Sequence, residues 1–198
     1  MINKRIFDLL LVIPGLIVLS PVFLLIFFLI SRDSDGPILF RQKRVGLNGQ
    51  VFNVLKFRTM IVNAEQKGAK ITTSGDSRIT KTGCWLRKYK LDELPQLINV
   101  LKGDMSLVGP RPEVPEYVEF YTDEQKKKVL SVLPGITDRA SIEFRNENDI
   151  LKNSKDPVQD YKEKILPIKL DYYEKYVEER SLWLDLKLII KTIVAIGS

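Results

Sequence analysis

The chain contains no histidine and a single cysteine, Cys84. Without histidine there is no imidazole base, no Ser–His or Cys–His nucleophile system and no His-ligated zinc. One cysteine allows neither an internal disulfide framework nor a thiolate metal cluster, and Cys84 reads as a small buried hydrophobe. Any catalysis must therefore run on carboxylates, Lys, Arg, Tyr or a metal held by oxygen. Internal repeats and a clear linker are also missing. The 198 residues read as one domain with a real core plus a membrane insertion.

Acidic residues are scarce in one stretch. Between residues 32 and 91 only Asp33, Asp35, Glu65 and Asp76 face thirteen Lys and Arg, a net charge of +9. Residues 1–31 sum to +1 and residues 92–198 to −4. A basic half and a mildly acidic half suggest an oriented protein, its basic side toward phosphates or anionic headgroups. A nucleic-acid binder would also use such a segment, but the stacking platform or docking helix it needs is absent. Nucleic acid is not an expected partner.

What the sequence has in excess is one apolar run. Residues 9–30, LLLVIPGLIVLSPVFLLIFFLI, carry no charge. As a straight helix they would extend about 33 Å, enough to cross a bilayer. A cleaved signal peptide fits poorly, because the run is too long and no small-x-small cleavage site follows. A single-pass anchor is the main rival. Against it stands Ser20-Pro21 at mid-run, where proline removes a backbone hydrogen bond that the Ser20 hydroxyl could replace. Lys4 and Arg5 precede the run, and Arg32, Arg41, Lys43 and Arg44 follow it. Basic residues on both flanks suit a segment that enters and leaves on the cytoplasmic side. The expectation is a re-entrant helix hairpin over residues 1–31, broken at Ser20 and Pro21, with residues 32–198 forming a cytosolic domain.

After Gly36-Pro37, two β-rich runs flank LNGQ, a hairpin signal. Alternation in the second run places Lys56 and Arg58 on one face, either an anion site or a wet surface. Residues 62–80 are polar and read as a loop or a partly ordered excursion. WLRKYK at 85–90 suggests a short helix. Leu94, Leu97, Ile98 and Leu101 then give a second at helical spacing, with Gly103 as its stop and Asp92 at or near its N-cap. The adjacent Asp92 and Glu93 are either a solvated first turn or a reactive pair. In the second reading Asp92 attacks phosphorus while Glu93 holds a hard cation. GDMSLVGPRPE at 103–113 delivers Arg111 between two prolines, a turn suited to bidentate phosphate contact or simply exposed. Another Pro-Gly turn at 134–135 leads to Arg145. The tail from Leu182 is strongly apolar, either a core helix or one at the membrane interface near Trp183.

In this order the segments resemble the bacterial sugar transferase family, the small monotopic phosphoglycosyl transferases. The likeness rests on VLKFRTM at 54–60, LDELPQLINVLKGDMSLVGPRP at 91–112, PGIT at 134–137 and DLK at 185–187. It implies an α+β, mostly helical fold with a re-entrant membrane helix, a small β-hairpin and interfacial amphipathic helices. It also implies transfer of a sugar-1-phosphate from a UDP-sugar to polyprenyl (undecaprenyl) phosphate, with release of UMP. The setting would be the cytoplasmic face of the bacterial inner membrane. By resemblance Asp92 is the nucleophile of a ping-pong reaction and Glu93 a Mg2+ ligand. Arg87, Arg111 and Arg145 match phosphate-binding positions, with Lys56 and Arg58 on the basic strand. The chain departs from the family after PGIT, where Asp138-Arg139-Ala140-Ser141 replaces Gly-Leu-Ala-Gln, so the sugar is left open. So is the oligomeric state, a homodimer included. The remaining alternative, a non-catalytic membrane scaffold, would need the apolar run and basic patch but not the acidic pair beside a fixed Arg.

Overall fold

The computed structural model describes residues 2–64, 76–144 and 156–197. Helix α1 runs from Ile2 to Asp33 without interruption, although Pro14 and Pro21 lie inside it. The expected break at Ser20-Pro21 is thus not a break in the helix. Pro21 cannot donate to the Ile17 carbonyl four residues back, but the Ser20 hydroxyl donates to that oxygen at 2.8 Å. Hydroxyl replaces amide, and the helix continues.

Strands β1 (Leu39–Val45) and β2 (Val51–Phe57) form an antiparallel hairpin in which Leu39 faces Phe57 and Val45 faces Val51. At its turn Asn48 and Gly49 both have positive φ, as the Asn-Gly pair requires. α1 packs along β2. Val12 and Leu16 meet Val54, and further on Ile26, Ile30, Phe23 and Phe27 surround Phe57.

Helix α2 (Lys81–Lys88) is capped by Thr80, whose hydroxyl accepts from Gly83 N at 3.0 Å. A side chain at Gly83 would place its Cβ 2.1 Å from the Thr59 carbonyl oxygen, so only glycine lets α2 sit against the end of β2. Cys84 lies exposed on this helix rather than buried, because Leu86 takes the core position. A 3-10 turn at Leu91–Glu93 precedes α3 (Gln96–Lys102), and Gly103 ends α3 in the left-handed region at φ 96.

The short strands β3 (Ser106–Val108) and β4 (Gly135–Thr137) pair in parallel. Between them lie α4 (Pro115–Val118) and α5 (Asp123–Val129). After β4 come α6 (Arg139–Glu143) and α7 (Pro157–Asp160), then a π-helical turn, Tyr161–Ile165. Helices α8 (Leu166–Glu179) and α9 (Leu182–Gly197) complete the chain. The main core joins β1, α4, α5, α6, the π turn and α8 through Val45, Tyr121, Ala140, Ile165, Leu170 and Tyr173.

Both ends of α1 are tied to this domain by polar groups. Near its start Lys4 pairs with Asp185 of α9 at 2.6 Å. Arg5 donates to the Val100 and Leu101 carbonyls at the end of α3. The buried Asp8 accepts from Ser106 Oγ at 2.8 Å and Leu107 N at 3.2 Å. At the other end Asp33 accepts from Thr82 N at 2.9 Å. Between these ties Leu10, Ile13, Ile17, Val18, Leu24, Leu25 and Phe28 are exposed.

Candidate active site

Asp92 and Glu93 occupy the 3-10 turn, one step before the helix whose N-cap Asp92 was expected to provide. The shift follows from Pro95, which has no N–H to give to Leu91. The chain closes instead with short-range bonds, Leu94 N to Leu91 O at 3.2 Å and Leu97 N to Leu94 O at 3.0 Å. Lys90, in the left-handed region at φ 55, turns the chain into this element.

The two carboxylates meet different surroundings. Glu93 Oε1 receives Lys56 Nζ at 2.7 Å and Arg111 Nη2, and its Oε2 receives Arg111 Nη1 at 3.1 Å. Burial alone would raise the Glu93 carboxyl, but Arg111 and Lys56 outweigh it and hold the group well below the ordinary glutamate range. Lys56 is pulled below the usual lysine value by burial and by the Arg111 charge, against the attraction of Glu93 and Asp92. Asp92 is 9% exposed, and its carboxylate accepts no hydrogen bond among the described residues. Burial, then the charge of Glu93, pushes its pKa up despite Lys56, Arg87 and Lys90. Arg87 is aimed by a bond from its Nε to Thr59 Oγ1 at 2.9 Å.

The structure thus brings Lys56, Arg87 and Arg111 around the acidic pair. It does not bring Arg58. That side chain is buried and donates to the Asp35 carbonyl at 2.6 Å and the Ser34 carbonyl at 2.5 Å, just past the end of α1. The shared face expected for Lys56 and Arg58 ends with β2 at Phe57, beyond which the chain leaves strand geometry. Arg145 lies outside the described residues. Asp138 is buried as the N-cap of α6, accepting from Ser141 N at 3.0 Å, and Arg139 pairs with Glu179 at 3.6 Å.

Sequence reasoning missed Asn99. Its Oδ1 accepts from Leu55 N at 2.9 Å and its Nδ2 donates to Asn53 O at 2.8 Å, so a helix side chain pairs with the free edge of β2. That contact fixes the separation between Lys56 and Glu93. An asparagine between Ile98 and Val100, inside an otherwise apolar stretch, was the available signal.

Chemically, one carboxylate is gripped by Lys56 and Arg111, and the other has no hydrogen-bond partner among the described residues. A family description, bacterial sugar transferase, matches residues 1–198. The chain belongs to the bacterial sugar transferase family. Among curated members of that family, a UDP-N-acetylgalactosamine-undecaprenyl-phosphate N-acetylgalactosaminephosphotransferase of Aeromonas hydrophila is 38% identical over 192 residues. The match covers 96% of this chain and 42% of the relative. A UDP-glucose:undecaprenyl-phosphate glucose-1-phosphate transferase of Escherichia coli is 37% identical over 193 residues, covering 96% of this chain and 39% of the relative. The exopolysaccharide production protein ExoY of Sinorhizobium fredii is 37% identical over 210 residues, covering 98% of this chain and 85% of the relative. The chain therefore spans less than half the length of two of these sugar transferases and most of the third.

Proposed function

We propose that this chain transfers a sugar-1-phosphate from a UDP-sugar to polyprenyl phosphate and releases UMP, as the first step of a glycan assembly. The observation that carries the reading is Asp92: buried, unpartnered among the described residues, and faced by Lys56, Arg87 and Lys90. In this reading an Asp92 carboxylate oxygen attacks the sugar-bearing phosphorus of the donor. The bond from that phosphorus to the bridging oxygen breaks, and UMP leaves. A polyprenyl phosphate oxygen then attacks the same phosphorus and expels the Asp92 carboxylate. Arg87, Arg111 and Lys56 supply fixed positive charge for phosphate oxygens throughout.

The donor set suits a Mg2+ ion shared with substrate rather than one caged by protein. Among the described residues no three acidic, Cys or His side chains converge. Mg2+ is commonly held by one or two carboxylates together with substrate phosphates. Three cationic hydrogen bonds leave Glu93 about one lone pair, on Oε2. Glu93 would hold the ion there, and the ion would neutralise charge on the donor diphosphate.

The proposed setting is the cytoplasmic face of the bacterial inner membrane, with α1 set into the near side of the bilayer and both of its ends on that face. Support comes from the ties at both ends of α1, which a membrane between those ends would sever. The exposed Trp183, Ile190, Ile193 and Val194 of α9 suit a helix lying at the interface. Radiolabelled UDP-sugars incubated with purified protein, polyprenyl phosphate and Mg2+ test the function. A lipid-linked product and UMP are expected, both lost with excess chelator. No product from any donor would overturn the reading.

A further inference from the structure

Arg111 stands between Pro110 and Pro112, neither of which has an N–H to give. The segment is therefore held largely through its acceptors, which are met from β4 and β1. Gly135 N of β4 donates to Pro110 O at 2.9 Å. Arg44 of β1 donates to Pro112 O at 3.0 Å, and Val45 N to Glu113 O at 2.9 Å. The last tie is made by a side chain. Tyr161 Oη donates to Glu113 Oε1 at 2.6 Å, while Arg44 stands 3.5 Å from the other carboxylate oxygen.

Both members of that tie are buried, Glu113 at 5% exposure and Tyr161 at 3%. An acid in such a place costs free energy unless its oxygens are satisfied, and an apolar side chain would fill the core more cheaply. The tie also originates in unusual backbone, because Tyr161 opens the π-helical turn. Such wide turns are rare and concentrate at functional sites. The turn sets Tyr161 on the inward face with Lys169, whose ammonium lies 4.8 Å from the ring centroid, and its ring meets Tyr117 at 5.0 Å. From Glu113 the chain is only two residues from Arg111, which grips Glu93 of the acidic pair.

We propose that Tyr161 and Glu113 are a positioning pair for Arg111: the Tyr161 hydroxyl, through Glu113, holds the Pro-Arg-Pro segment so that Arg111 reaches Glu93. The catalytic consequence rests on the activity proposed above; the mechanical one does not. Loss of the hydroxyl loosens the segment, and the geometry of the acidic pair loosens with it.

The test uses the whole chain in detergent or lipid, with Tyr161→Phe, which removes one oxygen and keeps the ring. Hydrogen exchange at the Val45 and Gly135 amides, which donate to Glu113 O and Pro110 O, should rise while the Tm stays close to that of the unaltered protein. In UMP release kcat should fall about tenfold, the scale of one lost hydrogen bond to a charged group, with the donor KM changing less. In an Arg111→Lys background the same substitution should add less than about twofold, since its effect passes through Arg111. Glu113→Gln, which keeps an acceptor for the hydroxyl, should retain more activity than Glu113→Leu. Unchanged exchange at the Val45 and Gly135 amides, or an undiminished loss in the Arg111→Lys background, would overturn the pairing. If the unaltered protein released no UMP, the proposed activity would fail, and the exchange measurement would still decide the mechanical claim.

Discussion

Keeping an ionised carboxylate at position 92 costs folding free energy that an amide would not, because burial and the charge of Glu93 both favour its protonated form. A carboxyl whose folded pKa lies above its unfolded value binds protons more tightly when folded. Its penalty is absent in acid and grows as pH rises from the ordinary aspartate range through the raised folded value. Asp92→Asn should therefore raise the Tm by a few degrees at pH 7, the gain shrinking toward acid, while abolishing UMP release. A melting series from pH 4 to pH 8 checks the first claim, and a pH-independent difference would contradict it. The same shift predicts that kcat/KM falls on the acid side at a pH above the usual aspartate value. Glu93 will not set that limb, since Arg111 and Lys56 hold it ionised far into acid.

At the scale of elements, what local rules govern was legible. The Asn48-Gly49 turn and the Gly103 stop follow from backbone conformations few other residues adopt. Distant partners decided the rest. Arg58 left its expected face for carbonyls more than twenty residues away. Asn99 looked like a polar interruption of α3 until the edge of β2 was seen beside it. Pro21 was expected to break α1, and the neighbouring serine supplied the missing donor. The placement of both ends of α1 on one side of the membrane is checked with single cysteines at Asn3 and Ser34, in a Cys84→Ser background. Both should resist an impermeant thiol reagent in intact cells and react once the membrane is permeabilised. Reaction at position 3 alone in intact cells would mean that α1 spans.

For the molecule as a whole, the crowding of charge predicts the order of events. Donor diphosphate and lipid phosphate bound together would set several negative charges against Asp92 and Glu93. Sequential use of Asp92 avoids that repulsion, so double-reciprocal plots at several lipid concentrations should be parallel. Donor alone should leave a sugar-phosphate adduct on Asp92 visible in intact-protein mass, and intersecting lines without an adduct would count against a covalent intermediate. The bond between Lys4 and Asp185 has a consequence for biosynthesis. Those residues are separated by 181 positions, so α1 leaves the ribosome long before α9 exists to receive it. At typical rates of about 5–20 residues per second, that interval lasts roughly ten seconds or more. During it α1 meets the bilayer by charge and hydropathy, without its tie to α9. The tie to Asp185 can only ratify a topology already chosen.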